Sequence, residues 1–435
     1  MPLPAGARRR LVHHVEVPTA LLILPTGTYR AEEYLAAARR LGLEVVTASE
    51  RAQALAGRMG DRFLEVPIED PAAAAEAIVA HAGRVHLDAV VAVDDQGLLA
   101  AALAAARLGL RHSPVGAVRL TRDKAGMRRA FEAAGVPQPD FVIVEPGSPA
   151  GAAEAASLLG PPVVVKACSL SGSRGVIRAD SPPEAARAAE RVRAILEDEG
   201  ELPRAPLLVE RFVAGPEVAL EGVLSGGELD VVAIFDKPEP LEGPYFEETI
   251  YVAPTALDDE SAGAVERAAR RAVAALGLTD GPVHAELRVP GGGEAKVLEL
   301  AARTIGGRCS KALALPGGAS LEELILARAL GLAGPEPRLA GPAGVLMIPI
   351  PRTGVLRRVH HLEEVRHLRH VTGVEVTVPE GRVVRALPEG DRYLGFVFAA
   401  APERALVEAA LRAARDAIEV EIDEAAPGGV AILPR

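Results

Sequence analysis

The segment VVVKACSLSGSRGV, residues 163–176, places Lys166 near the end of an apolar run and follows it with Ser169, Ser171, Gly172, Ser173 and Gly175. Small residues let backbone N–H groups wrap an anion, and a lysine adds a point charge suited to phosphate. The lysine precedes the glycine-rich loop and no G-K-[ST] follows, so this is not the Walker pattern, and an ordinary hairpin has the same composition. A second constellation pairs Glu286 in VHAELRV with Glu299 in VLELAAR, across the turn PGGG. A hairpin in suitable register brings both carboxylates to one face, an all-oxygen site for Mg²⁺ that substrate phosphates would complete; solvated acidic side chains on an exposed strand are the plain alternative. Arg303, four residues after Glu299, is spaced to stabilise charge that develops during transfer, although a surface arginine is the default in so arginine-rich a chain. A third stretch, LLVERFVAGPEVALEG, carries Glu210 and Glu217 seven residues apart on a strand, a turn and another strand.

The chain around these residues has 435 residues, room for about three domains at roughly 150 residues each. Hydrophobic residues make up 49% and charged residues 25%, a globular balance. A net charge of -11 disfavours sequence-independent nucleic-acid binding, and 3% aromatics without tryptophan disfavours stacking on single strands. Two cysteines, Cys168 and Cys309, make neither a disulfide framework nor a thiolate zinc site; small buried fillers are expected. No apolar run approaches the roughly 18 residues of a spanning helix, so the expectation is a soluble cytoplasmic protein with no membrane partner. Of 48 basic side chains only Lys124, Lys166, Lys237, Lys296 and Lys311 are lysines, which makes each of them informative.

These residues need elements to hold them. Thr19 to Leu24 reads as a buried strand followed by PTGTYR, a helical pattern and a second strand, and the alternation continues through a helix near 71–82, the strand LDAVVAVDD and an Ala-rich helix from Gly97 to Leu108. An open parallel sheet over residues 1–113 follows. Two helices then lead to an α+β region, with helices near 150–159, 183–199 and 258–276 between strands, up to residue 344. From residue 345 the chain reads as a small βαβ-rich domain. Asp94 and Asp95 end a parallel strand, where they suit either a site or a helix cap. His360, His361, His367 and His370 suit a solvated helix face better than a metal site.

Taken in order, these pieces resemble the ATP-grasp superfamily, and within it the L-amino-acid-ligase-type members, through TRDKAGMRRAFEAAGVPQP, the Lys166 loop, Glu210 to Glu217, IFDKPEPLEGPYFEETIYVAP, LELAARTIGG and IPRTGVLRRV. The resemblance implies mixed α/β and α+β architecture: an ATP-grasp fold at residues 114–344 with its lid at about 138–215, an N-terminal Rossmann-like domain and a small C-terminal α+β domain. It implies that Lys124 and Lys166 contact ATP phosphates under a flap of Ser169, Ser171, Gly172, Ser173 and Gly175. It places Glu210 and the backbone of Arg211, Phe212 and Val213 at the adenine and Glu217 at the ribose. Glu286 and Glu299 would hold Mg²⁺, or Mn²⁺ in its place, and Arg303 would steady the transferring phosphoryl group. Lys237, Glu247, Glu248, Tyr251, His284, Gly306 and Gly307 are the implied substrate contacts.

The implied activity is ATP-dependent amide formation between a small-molecule carboxylate and an amine through an acyl-phosphate, with an amino-acid substrate; a homodimer is compatible with it. Many superfamily members carry Glu-x-Asn at the last metal position, whereas Ala301 stands here, which removes one ligand. Two other readings stay open. One is a bicarbonate-phosphorylating carboxylase or carbamoyl-phosphate-type enzyme, which would need a partner because the chain has no Met-Lys-Met segment. The other is a non-catalytic ATP-binding regulatory protein.

Overall fold

A computed structural model describes residues 17–51, 56–146, 149–200, 205–291, 294–390 and 392–424. Continuous apolar runs, rather than alternating ones, form the first sheet: β1 (Thr19–Ile23), β2 (Glu44–Ser49), β3 (Phe63–Glu65) and β4 (Ala89–Ala92), all parallel in the order β3-β2-β1-β4. Every residue of β1 is buried because helices such as Ala31–Arg40 and Leu98–Leu108 cover both faces. The helix Pro71–Ala82 starts at Asp70, whose carboxylate accepts from the N–H groups of Ala72 and Ala73.

A four-stranded antiparallel sheet follows, built from β5 (Phe141–Val144), β6 (Val163–Ala167), β7 (Val176–Ala179) and β8 (Leu207–Arg211) in the order β5-β8-β6-β7. Its apolar face packs on the helices Pro149–Leu159 and Pro182–Asp198. Pairing of Val164 with Glu210 and of Lys166 with Leu208 puts Lys166 and Glu210 on one face, a diagonal step apart.

The central sheet collects β9 (Glu217–Ser225), β10 (Glu228–Asp236), β11 (Ile250–Ala253), β12 (Gly281–Arg288), β13 (Lys296–Ala301) and β14 (Ala343–Ile348). The last strands are β15 (Gly354–His360), β16 (Val371–Val376), β17 (Val383–Val384), β18 (Gly395–Ala400) and β19 (Glu419–Asp423). Of these, β18 and β16 extend the central sheet beyond β14, giving eight strands in the order β13-β12-β9-β10-β11-β14-β18-β16. The remaining three form a small sheet, β17-β15-β19.

The βαβ pattern expected for the tail is not realised. Its strands pair antiparallel, and the helix Arg404–Ala417 leads from β18 in the large sheet to β19 in the small one, so no parallel unit closes. The expected histidine-bearing helix is shorter than its motif: His360 ends β15, Leu362–Arg366 is helical, and His360 and His361 face Glu421 and Glu364.

One apolar core runs from Leu21 and Ile23 through Leu98 to Leu220, Val283 and Leu287, so the N-terminal sheet and the central sheet are packed as one body. On β14, Gly344 lets β11 and the helix Arg404–Ala417 approach: a Cβ there would lie 2.5 Å from the Tyr251 carbonyl oxygen and 2.9 Å from Leu411. Gly344→Ala is therefore expected to lower stability by about 1–3 kcal/mol, read as a fall in the denaturation midpoint at unchanged m-value.

Candidate active site

Register on three strands builds a polar face. On β12, His284, Glu286 and Arg288 lie opposite Glu221, Ala219 and Glu217 of β9, and on β13 Glu299 and Ala301 lie opposite Glu286 and His284. The two carboxylates singled out by spacing thus stand directly across from one another. Lys237, just past the end of β10, has a side chain only 2% exposed and points into this face. Its Nζ lies 2.7 Å from Glu217 and 3.4 Å from Glu286, and it also donates to Glu248. Burial alone would depress the lysine, yet the three carboxylates hold its ammonium well above the ordinary value. Burial would raise Glu286, but Lys237 and His284 hold it well below the usual carboxylate range. Burial, reinforced by Glu286 and Glu217, pushes the Glu248 carboxyl up. Glu217 also accepts from Arg288 Nε at 2.8 Å.

The helix Lys124–Ala133, capped by Asp123, presents Lys124 and Arg128 one turn apart. Lys124 Nζ donates to the Leu170 carbonyl at 2.6 Å and to Glu299 at 3.2 Å, joining the Lys166 loop to β13. Arg128 Nε donates to Glu210 at 2.5 Å, and its other nitrogens reach the carbonyls of Val297 and Leu298. Lys166 holds the other Glu210 oxygen at 2.6 Å. Burial opposes ionisation of Glu210, but Arg128 and Lys166 overcome it and bring its carboxyl down to about 2. Glu210 therefore lies beneath Lys166 with both oxygens engaged. Of the expected adenine-binding backbone, the N–H groups of Arg211 and Phe212 are bonded to Asp140 and Pro162, and the Val213 carbonyl accepts from Arg288.

The loop after β13 is held by the N-terminal domain. Arg303 Nε donates to Asp95 at 2.7 Å and its Nη1 to the Thr304 carbonyl at 2.9 Å. Buried Arg30 donates to the carbonyls of Thr304 and Ile305, while the Ile305 N–H donates to both Glu221 oxygens at 3.1 and 3.0 Å. The Gly307 N–H donates to the Tyr29 hydroxyl at 3.1 Å, so that amide, expected to meet a substrate carboxylate, already has a partner. Gly307 has φ +60° and a Cβ would collide with Met347, whereas the space beside Gly306 is open.

At the flap, Ser173, Gly172 and Gly175 take positive φ values of 58°, 67° and 60°, which folds the loop back into β7. The Gly175 N–H donates to the Pro388 carbonyl at 3.0 Å, and Arg191 on the following helix grips Glu389 at 2.8 and 3.2 Å. Gly172, Glu247, Arg385 and Tyr393 line a small cavity between flap and tail, where burial raises the Glu247 carboxyl. Tyr251 is buried edge-on to Phe235, with Lys237 over its ring at 5.2 Å. Both cysteines are buried; burial pushes the Cys168 thiol up to about 12 and raises Cys309 as well. Neither is poised as a nucleophile.

Spacing alone did not reveal Arg128, Glu221, Arg288, Arg30 or Tyr29. For Arg128 a signal exists in the K-x-x-x-R step from Lys124, and for Glu221 in its being the one charge amid the apolar run VALEGVL. Asp94 acts as a cap, accepting from the Gln96 N–H at 3.2 Å, while its neighbour Asp95 serves the site.

The donor set fits a hard divalent cation. Among the described residues the second oxygens of Glu286 and Glu299 have no hydrogen-bond partner, and they project from directly opposed positions. Oxygens of Glu217, Glu248 and Glu286 also lie within 4.8 Å of one another, but the Lys237 ammonium already sits among them. No described helix is long and apolar enough to cross a membrane. Glu210→Gln leaves Arg128 and Lys166 facing a neutral partner in a buried site and is expected to cost about 3–5 kcal/mol. Because Glu210 is depressed in the folded state, the stability it adds is complete above about pH 4.5 and is lost as pH falls toward 2; acid titration of the unfolding midpoint should show that limb in the native chain and a shallower one in the variant.

Residues 159–312 match the ATP-grasp domain family, residues 35–112 the ATP-grasp N-terminal domain and residues 346–423 the L-amino acid ligase C-terminal domain 2. The chain is 30% identical over 267 residues to alanine–anticapsin ligase of Bacillus subtilis, a match spanning 58% of this chain and 56% of that relative, little more than half its length. It is 31% identical over 228 residues to D-alanine–D-alanine ligase of Laribacter hongkongensis, covering 52% of this chain and 70% of the relative. The crystal structure of L-amino acid ligase from Bacillus licheniformis superposes with a TM-score of 0.75 at 26% identity, covering 94% of this chain and 99% of that one. With the facing Glu286 and Glu299, the four-stranded sheet that bears Lys166 and these matches together, the chain belongs to the ATP-grasp superfamily, among its L-amino-acid-ligase-like members.

Proposed function

We propose that the protein is an ATP-dependent carboxylate–amine ligase that joins an amino-acid substrate to an amine. The observation that carries this reading is the opposed Glu286–Glu299 pair, flanked by Lys124 on one side and followed by Arg303 on the loop. A carboxylate anion is a poor electrophile and must be activated. In the proposed sequence a substrate carboxylate oxygen attacks the γ-phosphorus of ATP, the bond to the departing ADP oxygen breaks, and an acyl-phosphate forms. An amine nitrogen then attacks the acyl carbon, phosphate leaves, and the amine proton passes to solvent.

Lys124 and Lys166 are placed to exchange their present carboxylate partners for phosphate oxygens, and Arg303 to meet charge on the transferring group. Glu286 and Glu299 would hold a divalent cation, which would neutralise charge on the phosphates. Glu217 would contact the ribose, and Glu247, Glu248, Tyr251 and Gly306 are the proposed contacts of the amino acid. Folding the flap from Ser169 to Gly175 over the nucleotide excludes water from the acyl-phosphate. The relatives matched by sequence and named for an activity are amino-acid ligases, which supports this reading over a bicarbonate-phosphorylating or non-catalytic one.

Mass spectrometry of the products from ATP and a mixed amino-acid pool tests the proposal. An amide product with one ADP per amide is expected, and Glu299→Gln should lower its rate by at least about 100-fold. Nucleotide binding without turnover across the pool and a panel of amines would overturn it.

A further inference from the structure

Glu221 is not itself assigned above to nucleotide or substrate, yet it lies mid-strand in β9 between Leu220 and Gly222 with no exposed surface. Burying a carboxylate there carries a desolvation cost that its partners must offset. Its contacts run in two directions. Both oxygens accept the Ile305 N–H, at 3.1 and 3.0 Å, and so fix the loop that carries Arg303. Oε2 also lies 3.4 Å from Nδ1 of His284, whose Nε2 is 3.3 Å from Glu286 Oε1.

Lys237 approaches that same Glu286 oxygen at 3.4 Å, so two groups hold Oε1 and, among the described residues, Oε2 is left without a hydrogen-bond partner. Ala301, opposite His284 in register, offers no polar atom that would compete. We propose that Glu221 and His284 are positioning residues: the pair orients Glu286 for its cation and ties it to the Arg303 loop, so that metal and phosphoryl contacts are set by one buried carboxylate. Carboxylates that ligate a metal are oriented by hydrogen bonds from groups outside the ligand set, the place His284 takes toward Glu286.

The inference rests on the reading of Glu286 as a cation ligand, and the test separates the two. Mn²⁺ binding to the full-length protein in the presence of ADP is measured by electron paramagnetic resonance, ADP binding is measured without metal, and amide and phosphate are counted per turnover. Glu221→Gln keeps an oxygen for Ile305 but loses the charge facing His284; it should weaken Mn²⁺ binding about 10–100-fold, leave metal-free ADP binding within twofold, and release more phosphate than amide. His284→Asn should reproduce the Mn²⁺ defect. Glu221→Leu, which leaves the Ile305 N–H and His284 without an acceptor, should unfold at a lower temperature than the native chain and show at least the same Mn²⁺ defect. Unchanged Mn²⁺ affinity in Glu221→Gln, or equal loss of metal-free ADP binding, overturns the positioning role alone. Failure of the native protein to bind Mn²⁺ with ADP overturns the ligase reading and this inference with it.

Discussion

Taking a carboxylate out of water costs several kcal/mol unless a cation or N–H group meets it, and the inner face of this fold buries a series of them. Glu210, Glu217 and Glu221 are each at most 9% exposed at the side chain, and each is matched from another element. Arg128 and Lys166 serve Glu210, Lys237 and Arg288 serve Glu217, and the Ile305 amide with His284 serves Glu221. The scarcity of lysine acquires a physical meaning from this pattern. Lys124, Lys166 and Lys237 all sit in the paired set, Lys296 begins β13, and Lys311 is bound to Glu375 away from it. A compact ammonium can trade a carboxylate for a phosphate oxygen without re-forming a planar fork, which an arginine cannot do so readily.

The same pairing rule welds the parts of the chain together. The loop 303–309 takes its strand from the central sheet and its restraints from the N-terminal domain: Asp95 on Arg303, Arg30 on two carbonyls, Tyr29 on the Gly307 amide and Glu33 on Arg308. On the far side, the tail reaches the four-stranded sheet and its helix Pro182–Asp198 through Pro388 and Glu389. Three segments distant in sequence thus converge, and one continuous core joins the N-terminal sheet to the central sheet beneath them.

Local chemistry made much of this legible in advance. Apolar runs and Ala-rich helices marked the parallel sheet, and the Glu286–PGGG–Glu299 spacing anticipated a hairpin whose register puts the carboxylates opposite each other. What periodicity could not carry were contacts between residues far apart: Arg128 to Glu210 spans 82 positions, Glu221 to Ile305 spans 84 and Asp95 to Arg303 spans 208. The backbone of Arg211 to Val213 looked open for the same reason, since its partners Asp140, Pro162 and Arg288 lie on other elements. The tail misled because a strand–helix–strand order suggests a parallel unit, while the helix Arg404–Ala417 changes sheets.

The central claim is that a substrate carboxylate attacks phosphorus, and oxygen tracing addresses it without reference to which amino acid is used. With an amino acid carrying ¹⁸O in its carboxylate, the account predicts one ¹⁸O atom in the inorganic phosphate released for each amide formed, and none in ADP. Unlabelled phosphate, or label appearing in AMP, would contradict it.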